Sequence, residues 1–435
     1  MTEHDILGNP VTVGAPDTVA GIDAFVHGLL SYETGIERVI EAADADPDSA
    51  LANAYAAMAW LFLESPAGPL AALPYLRCAE AAAAAGSGRE RLIVAAARAW
   101  ADDDMVRALA IGDRLAAEYP RDLVAAKVTQ YHMFNRGDAA GLLRIGAAVL
   151  PACDDIAYAH GMIAFGYEQC HRMREAEAAA HAAMRRQRKE PWAHHALAHV
   201  LLTEGRNDEG RAFLDDVRDT WTGLNSFMLT HNWWHLSLVM IAQGEAAAVL
   251  EHYSTHIWGI CKDYSQDQVG AVSLLARLEL AGVDVGDRWQ DLADHLAPRI
   301  TEHVQPFLDL HYLYGLARAG RAEAPAMLED MRRFAVAAPG HARETWQSVA
   351  LPAAAGLLAH ARGDHAAAVP HLLAALPRLA AIGGSHAQRD LFEQITDDAL
   401  LRAGHHAAAR ARLERRRGGN PHAAATLAAV QRLPG

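Results

Sequence analysis

The sequence predicts an all-α protein: a solenoid of tetratricopeptide-like helix–turn–helix repeats, without a sheet, wound into a right-handed superhelix. Two observations predict it. Alanine, the best helix former and a poor strand former, supplies 93 of 435 residues, against 7% aromatics. Turn signals also recur at Gly137, Arg172, Gly205, Gly244, Gly282, Gly320, Gly363 and Gly404, at intervals of 35, 33, 39, 38, 38, 43 and 41 residues. Each follows an apolar-periodic segment and precedes an alanine-rich one. Glycine just past a helix end supplies the left-handed cap, and a period of about 34–45 residues with two helices is the mark of a helical-repeat array.

The elements follow in order. Residues 1–16 carry Gly8, Pro10, Gly14 and Pro16 and are predicted to be extended or disordered. Helices are expected over 17–44, 48–64, 70–84, 88–101 and 104–118, split by ADADPDSA, ESPAGP, GSG and EYPRD. The paired repeats then run onward, and no composition shift or long linker divides 17–435, which reads as one domain. Pro370 and Pro377 should kink or break the helix after Gly363. At Ser385 an N-cap followed by Gln388 makes a capping box. The run Arg410–Arg417 reads as a solvated helix face.

Composition also excludes functions. A formal charge of −14 leaves no basic excess for nucleic acid, and 51% hydrophobic residues argue against disorder. The uncharged stretch Thr220–Gly244 contains His231, Asn232, His235 and Gln243, so it is read as buried helix and not as a membrane span. Cys78, Cys153, Cys170 and Cys261 form no CxxC pair, which fits free thiols in a reducing compartment. The first ten residues hold acids and a proline where a secretory signal has basic and apolar ones. A cytoplasmic protein is expected. No GxSxG elbow, Gly-rich phosphate loop or dinucleotide fingerprint is present.

The informative pattern is a ladder of histidines ahead of successive junctions. His160 lies 12 residues before Arg172; His195 and His199 lie 10 and 6 before Gly205; His231 and His235 lie 13 and 9 before Gly244. Asp267 lies 15 before Gly282, and His311 lies 9 before Gly320. Residues three or four apart share a helix face, so these are compatible with one polar stripe. His195/His199 and His231/His235 are HxxxH pairs 36 residues apart, able to act as acid–base groups or to chelate a divalent metal. Without a glutamate after the first histidine, the HExxH pattern is absent. Trp192 and Trp234 add ring faces, and one of Trp233 and Trp234 is expected to pack inward. At the start of the helix after Gly384, Arg389 beside free backbone amides would suit an anionic group.

The strings HGMIAFGYEQC (160–170), WAHHALAHVLLTEGRNDEG (192–210), HNWWHLSL (231–238), DQVGAVSLLARLELAG (267–282), FLDLHYLYGLARAG (307–320) and IGGSHAQRDLF (382–392) resemble the tetratricopeptide repeat protein 38 family. The resemblance runs from about residue 85 onward. It matches His160, Trp192, His195, His199, His231, Asn232, Trp234, His235, Asp267, His311, Gln388, Arg389 and Asp390, and departs at Gln169, Ala271 and Ala276. It implies the repeat fold and leaves the activity unassigned.

The expected function is a small-molecule pocket with His195, His199, His231 and His235 as catalytic histidines. Its substrate-binding wall is His160, Trp192, Asn232, Trp234, Asp267, His311, Gln388, Arg389 and Asp390. No cofactor and no metal are predicted; in the metal-dependent alternative those four histidines would hold a divalent ion. The expected partner is a small molecule with an anionic group, with no nucleic acid or membrane, and the pattern is compatible with a homo-oligomer. The alternatives are a scaffold gripping a peptide in its groove and a metal-dependent enzyme. The chain's lysines are only Lys127, Lys189 and Lys262, which weighs against carboxylate clamps of the usual peptide-binding kind.

Overall fold

A computed structural model describes residues 2–418 and 420–430. The protein is an all-α, tetratricopeptide-like array in which consecutive helices pack in pairs, such as Ala157–Gln169 with Met173–Arg186 and Leu351–Ala361 with His365–Ala375. The turn signals are the reason. Gly137, Gly205, Gly244, Gly282, Gly320, Gly363 and Gly404 all have positive φ, between 69° and 85°. At the remaining junction the left-handed residue is His171, φ 56°, next to Arg172. A left-handed residue reverses the chain so that the following helix can return along the preceding one.

The chain gathers into two compact units where the sequence reads as one domain. The first comprises residues 2–134, 138–196 and 220–228, and the second 135–137, 197–219 and 229–430. In the first unit the expected 17–44 helix is two helices, Thr18–Ser31 and Arg38–Ala45, because Tyr32 turns left-handed at φ 57°. Helices Gly88–Ala101 and Met105–Glu118 fall where the sequence puts them.

The N-terminal residues are extended and ordered. Thr2–His4 pairs antiparallel with Pro10–Thr12, a small exception to an all-helical chain. Asp5 closes the turn by accepting the amides of Leu7 (3.0 Å) and Asn9 (2.8 Å). Arg89, 2% exposed, holds the hairpin down: it donates to the Pro10 carbonyl (2.9 Å) and to Asp122 (2.8 Å). Glu90, which also closes a capping box with Ser87, accepts the Thr12 amide at 2.6 Å. These partners lie some eighty residues downstream, which is why local signals show only broken helix.

In the second unit Pro370 is accommodated inside His365–Ala375, while Pro377 stands at the change to a 3-10 helix over Leu376–Ile382. Among the described residues His365–Ile382 is one helical run long and apolar enough to cross a membrane. Its Ala368, Leu372, Ala375 and Ile382 are packed inside the protein.

The turn glycines make a paired prediction. Gly320, φ 69°, has open space around a Cβ, so Gly320→Ala should cost only backbone strain, about 1–2 kcal/mol. Gly270 lies inside the helix Ser265–Leu280 with equally open space, so Gly270→Ala should stabilise by about 0.5–1 kcal/mol. Urea midpoints should therefore move in opposite directions.

Candidate functional site

The fourth residue of the first helix in many pairs is polar and reaches back to the residue six positions earlier, closing the incoming loop. Asn53 donates to the Pro47 carbonyl (3.4 Å) and Gln268 to the Lys262 carbonyl (2.8 Å). His160 bonds the Asp154 carbonyl at 2.9 Å and His194 the Arg188 carbonyl at 2.7 Å. Arg389 donates to Gly383 (3.3 Å) and to Gly384. Asp309 answers the same spacing with a carboxylate on the His303 ring, 2.5 Å. Counted from the helix start, His160 corresponds to His194 and not to His195. The structure thus gives His160 and Arg389 loop-closing hydrogen bonds. His194, which the sequence leaves without a role, accepts from the Trp221 indole through Nδ1 (3.3 Å), so its Nε2 carries the proton donated to Arg188.

One turn further along the helices is an imidazole cluster. In the second unit His199 on Pro191–Thr203 meets His231 and His235 on Ser226–Ala242. Ring centroids are 4.5 Å apart for His199 and His235 and 4.8 Å for His231 and His235, and the rings' ligand nitrogens all lie within 4.8 Å of one another. None is more than 8% exposed. Burial, then the neighbouring His199, pushes His231 down to about 3, and burial also holds His235 well below the usual histidine range. The His231 and His235 rings are neutral at pH 7. His195 stands one turn before His199 on the same helix. Within the first unit its ring stacks on Trp192 (4.4 Å) and tilts against Phe165 (5.0 Å).

Around the cluster, Trp234 is the inward-packed indole, 1% exposed and parallel to His231 at 5.2 Å. Trp233 instead stacks on His256 at 3.7 Å. The indole N–H of Trp234 and both polar atoms of the fully buried Asn232 have no hydrogen-bond partner. Asp267 accepts from Thr230 at 3.2 Å. The guanidinium of Arg277 lies 5.3 Å from the Trp234 ring and is anchored by the Ala387 carbonyl (2.7 Å). His311 donates from Nδ1 to the Phe307 carbonyl (2.7 Å), leaving Nε2 without a partner. Gln388 and Ser385 form the expected capping box. Asp390 accepts from Gln394, Arg416 and Asn420. Burial works against its ionisation, but Arg416 and Arg277 outweigh it and hold Asp390 below the usual carboxylate range.

Two groups were not read from the sequence. In the second unit a cavity of about 420 Å³ is lined by Tyr314, Arg318, His360, His365, Asp398 and Arg402. There His360 bonds Asp398 (2.9 Å) and Tyr314 (3.2 Å). In the first unit Lys127 is buried beside the stacked Tyr32 and Trp192 rings, near Glu190. Its one signal was a lysine in the middle of the otherwise uncharged LVAAKVTQYHMFN.

Buried neutral imidazoles make stability depend on pH. Burial lowers His311 to about 4 in the folded chain, against about 6.5 unfolded. Because the folded pKa is depressed, its contribution is fully present above pH 6.5 and is lost as pH falls towards 4. Urea midpoints of the wild type should fall over that window. In His311→Gln the fall should be shallower, by up to about 1.4 kcal/mol per pH unit.

No family model matches the chain. Among solved structures, one titled as Naa15/Naa10 bound to HypK-THB contains a chain that is similar at 10% identity with a TM-score of 0.26. The match covers 95% of this chain and 66% of that one, so this chain spans just under two thirds of its length.

Proposed function

We propose that this chain is a helical-repeat scaffold that binds a protein partner carrying basic side chains. The observation behind this reading is the repeat itself: helix pairs joined at left-handed turns, each burying its apolar faces on the next. Such arrays present many similar helix faces in series, and binding is their general use. Charge supports the choice of partner. The net charge is −14, Lys127 is buried, Lys189 is paired with Glu33, and Lys262 is paired with Asp291. No lysine remains to clamp a partner's carboxylate. Calorimetric titration with a synthetic Arg/Lys-rich peptide should show binding that weakens between about 20 mM and 300 mM salt, as screened surface charges require. Tighter binding of an acidic peptide of equal length would overturn the reading.

The small-molecule reading has support in the unpartnered amide of Asn232 beside the Trp234 indole, but its acid–base form has less. A general acid must carry its proton near the working pH, and His231, held at about 3, does not. A metal-ion reading is better supported by the clustering of His199, His231 and His235. Neutral imidazole nitrogens are borderline-soft donors suited to zinc and its neighbours. A tetrahedral zinc with Zn–N of about 2.0–2.1 Å places its ligand nitrogens about 3.3 Å apart. Modest ring rotation reaches that from the observed spacing of the three imidazoles. Arg277 opposes a cation here. Protein purified without a His-tag should carry about one zinc per chain. After chelation, zinc at about 100 times its Kd should stabilise the chain by about 2.7 kcal/mol. His231→Ala and His235→Ala should abolish that gain, and His405→Ala, at an exposed position, should keep it. Metal well below one per chain, with no gain in Tm, would sink this reading.

A further inference from the structure

The cavity of about 420 Å³ in the second unit takes no part in the scaffold reading or in the imidazole cluster. Four helices reach it at their C-terminal ends: Ser265–Leu280, Pro306–Arg318, Leu351–Ala361 and His386–Arg402. His360, 5% exposed, lies in the last turn of the third. The chain then reverses at Gly363, φ 80°, and His365 opens the returning helix. The two imidazoles thus stand on either side of one tight turn, with ring centroids 5.2 Å apart. Asp398 comes from the following pair, and one ligand atom from each of the three residues lies within 4.8 Å of the others.

Hydrogen bonds fix two of these groups. His360 Nε2 is 2.9 Å from Asp398 Oδ2, and His360 Nδ1 is 3.2 Å from the Tyr314 hydroxyl. Burial works against ionisation of Asp398, but His360 and Arg402 outweigh it and hold the carboxyl below its usual range. An ionised carboxylate only accepts, so Nε2 carries the proton and Tyr314 donates to Nδ1. Arg402 donates from Nε to both oxygens of Asp398, at 2.9 and 2.8 Å. An ion network built for stability would account for His360, Asp398 and Arg402. It does not account for His365, whose buried Nδ1 has no hydrogen-bond partner, or for the space left beside it.

We propose that His360, His365 and Asp398 bind a divalent ion of the iron(II)–manganese(II) type, with the remaining coordination positions open to the cavity. Two imidazoles and one carboxylate on one face of an octahedron suit such ions. Octahedral ligands at about 2.1 Å from an ion are about 3 Å apart. His360 and Asp398 already have that spacing, so His365 alone has to turn inward. Burial, then His360, lowers the His365 pKa and keeps its ring in the neutral form that ligates. When Nε2 of His360 takes the ion, its proton is replaced by one on Nδ1, which then donates to the Tyr314 oxygen. That is the usual outer support of a ligating imidazole. Helix C-termini carry partial negative charge and favour a cation. Three guanidiniums oppose it. Arg318 is matched by Glu279 at 2.8 Å, and Arg362 is exposed. Arg402, with its side chain 60% exposed, can swing into water when the ion takes Asp398.

The chelated full-length chain is titrated with Mn²⁺, and the free ion is followed by its electron paramagnetic resonance signal. The wild type should bind one equivalent at this site. His365→Ala and Asp398→Asn should each bind at least tenfold more weakly, and Tyr314→Phe about tenfold more weakly through lost orientation of His360. His365 is only partly buried, so His365→Ala should keep its helical circular dichroism. If Asp398→Asn does not fold, His365→Ala decides. His231→Ala should bind Mn²⁺ as the wild type does, because the all-nitrogen imidazole cluster suits manganese poorly. No saturable binding by the wild type, or equal binding by the wild type and His365→Ala, overturns the proposal. Binding lost in His231→Ala and kept in His365→Ala overturns it as well, by assigning the ion to the imidazole cluster.

Discussion

Each helix pair has to enter from a loop and reverse at a turn, and everything else in this protein depends on how those two points are closed. The reversal is made by a residue in the left-handed region, glycine at seven junctions and Tyr32, Glu64, Asp103 or His171 at four others. The entry is made by a polar side chain at the fourth helical position, bonded to the residue six places earlier. Imidazole, amide and guanidinium all serve: His160, His194, Gln268, Asn53 and Arg389 have little in common except a donor of suitable reach. A loop carbonyl left unbonded there would carry a desolvation cost of about 1–3 kcal/mol. This explains why some conspicuous polar residues in this chain have structural work to do.

Elsewhere on its helices the chain accepts unusual burial. His231, His235 and His311 are kept neutral by it. Arg89 is matched by Asp122 and the hairpin carbonyl of Pro10. Lys127 has ring faces instead of a carboxylate in contact. The three cases are energetically different. A matched ion has its desolvation cost offset by its partners, a neutral imidazole costs only its unmade hydrogen bonds, and a buried amine on ring faces is pushed towards its neutral form.

What the sequence by itself determined was local. The junction glycines, the Ser385–Gln388 capping box and the extents of Gly88–Ala101 and Met105–Glu118 depend on a few neighbouring residues, so spacing and residue type suffice. The meeting of His199, His231 and His235 was also legible, because i,i+4 spacing and one repeat length put them at similar heights on neighbouring helices. Tertiary structure decided which residue of a stripe is turned to which use. His160 and His195 both fall in the histidine stripe read from the sequence, yet counting from the helix start pairs His160 with His194, because the entry geometry is what repeats. It also decided the N-terminal hairpin and the surroundings of Lys127. Arg89 reaches Pro10 across 79 residues, and Lys127 sits beside the stacked rings of Tyr32 and Trp192, which lie far away on either side in the chain. Local patterning carries no record of such partners, since burial is a property of what the folded chain brings alongside.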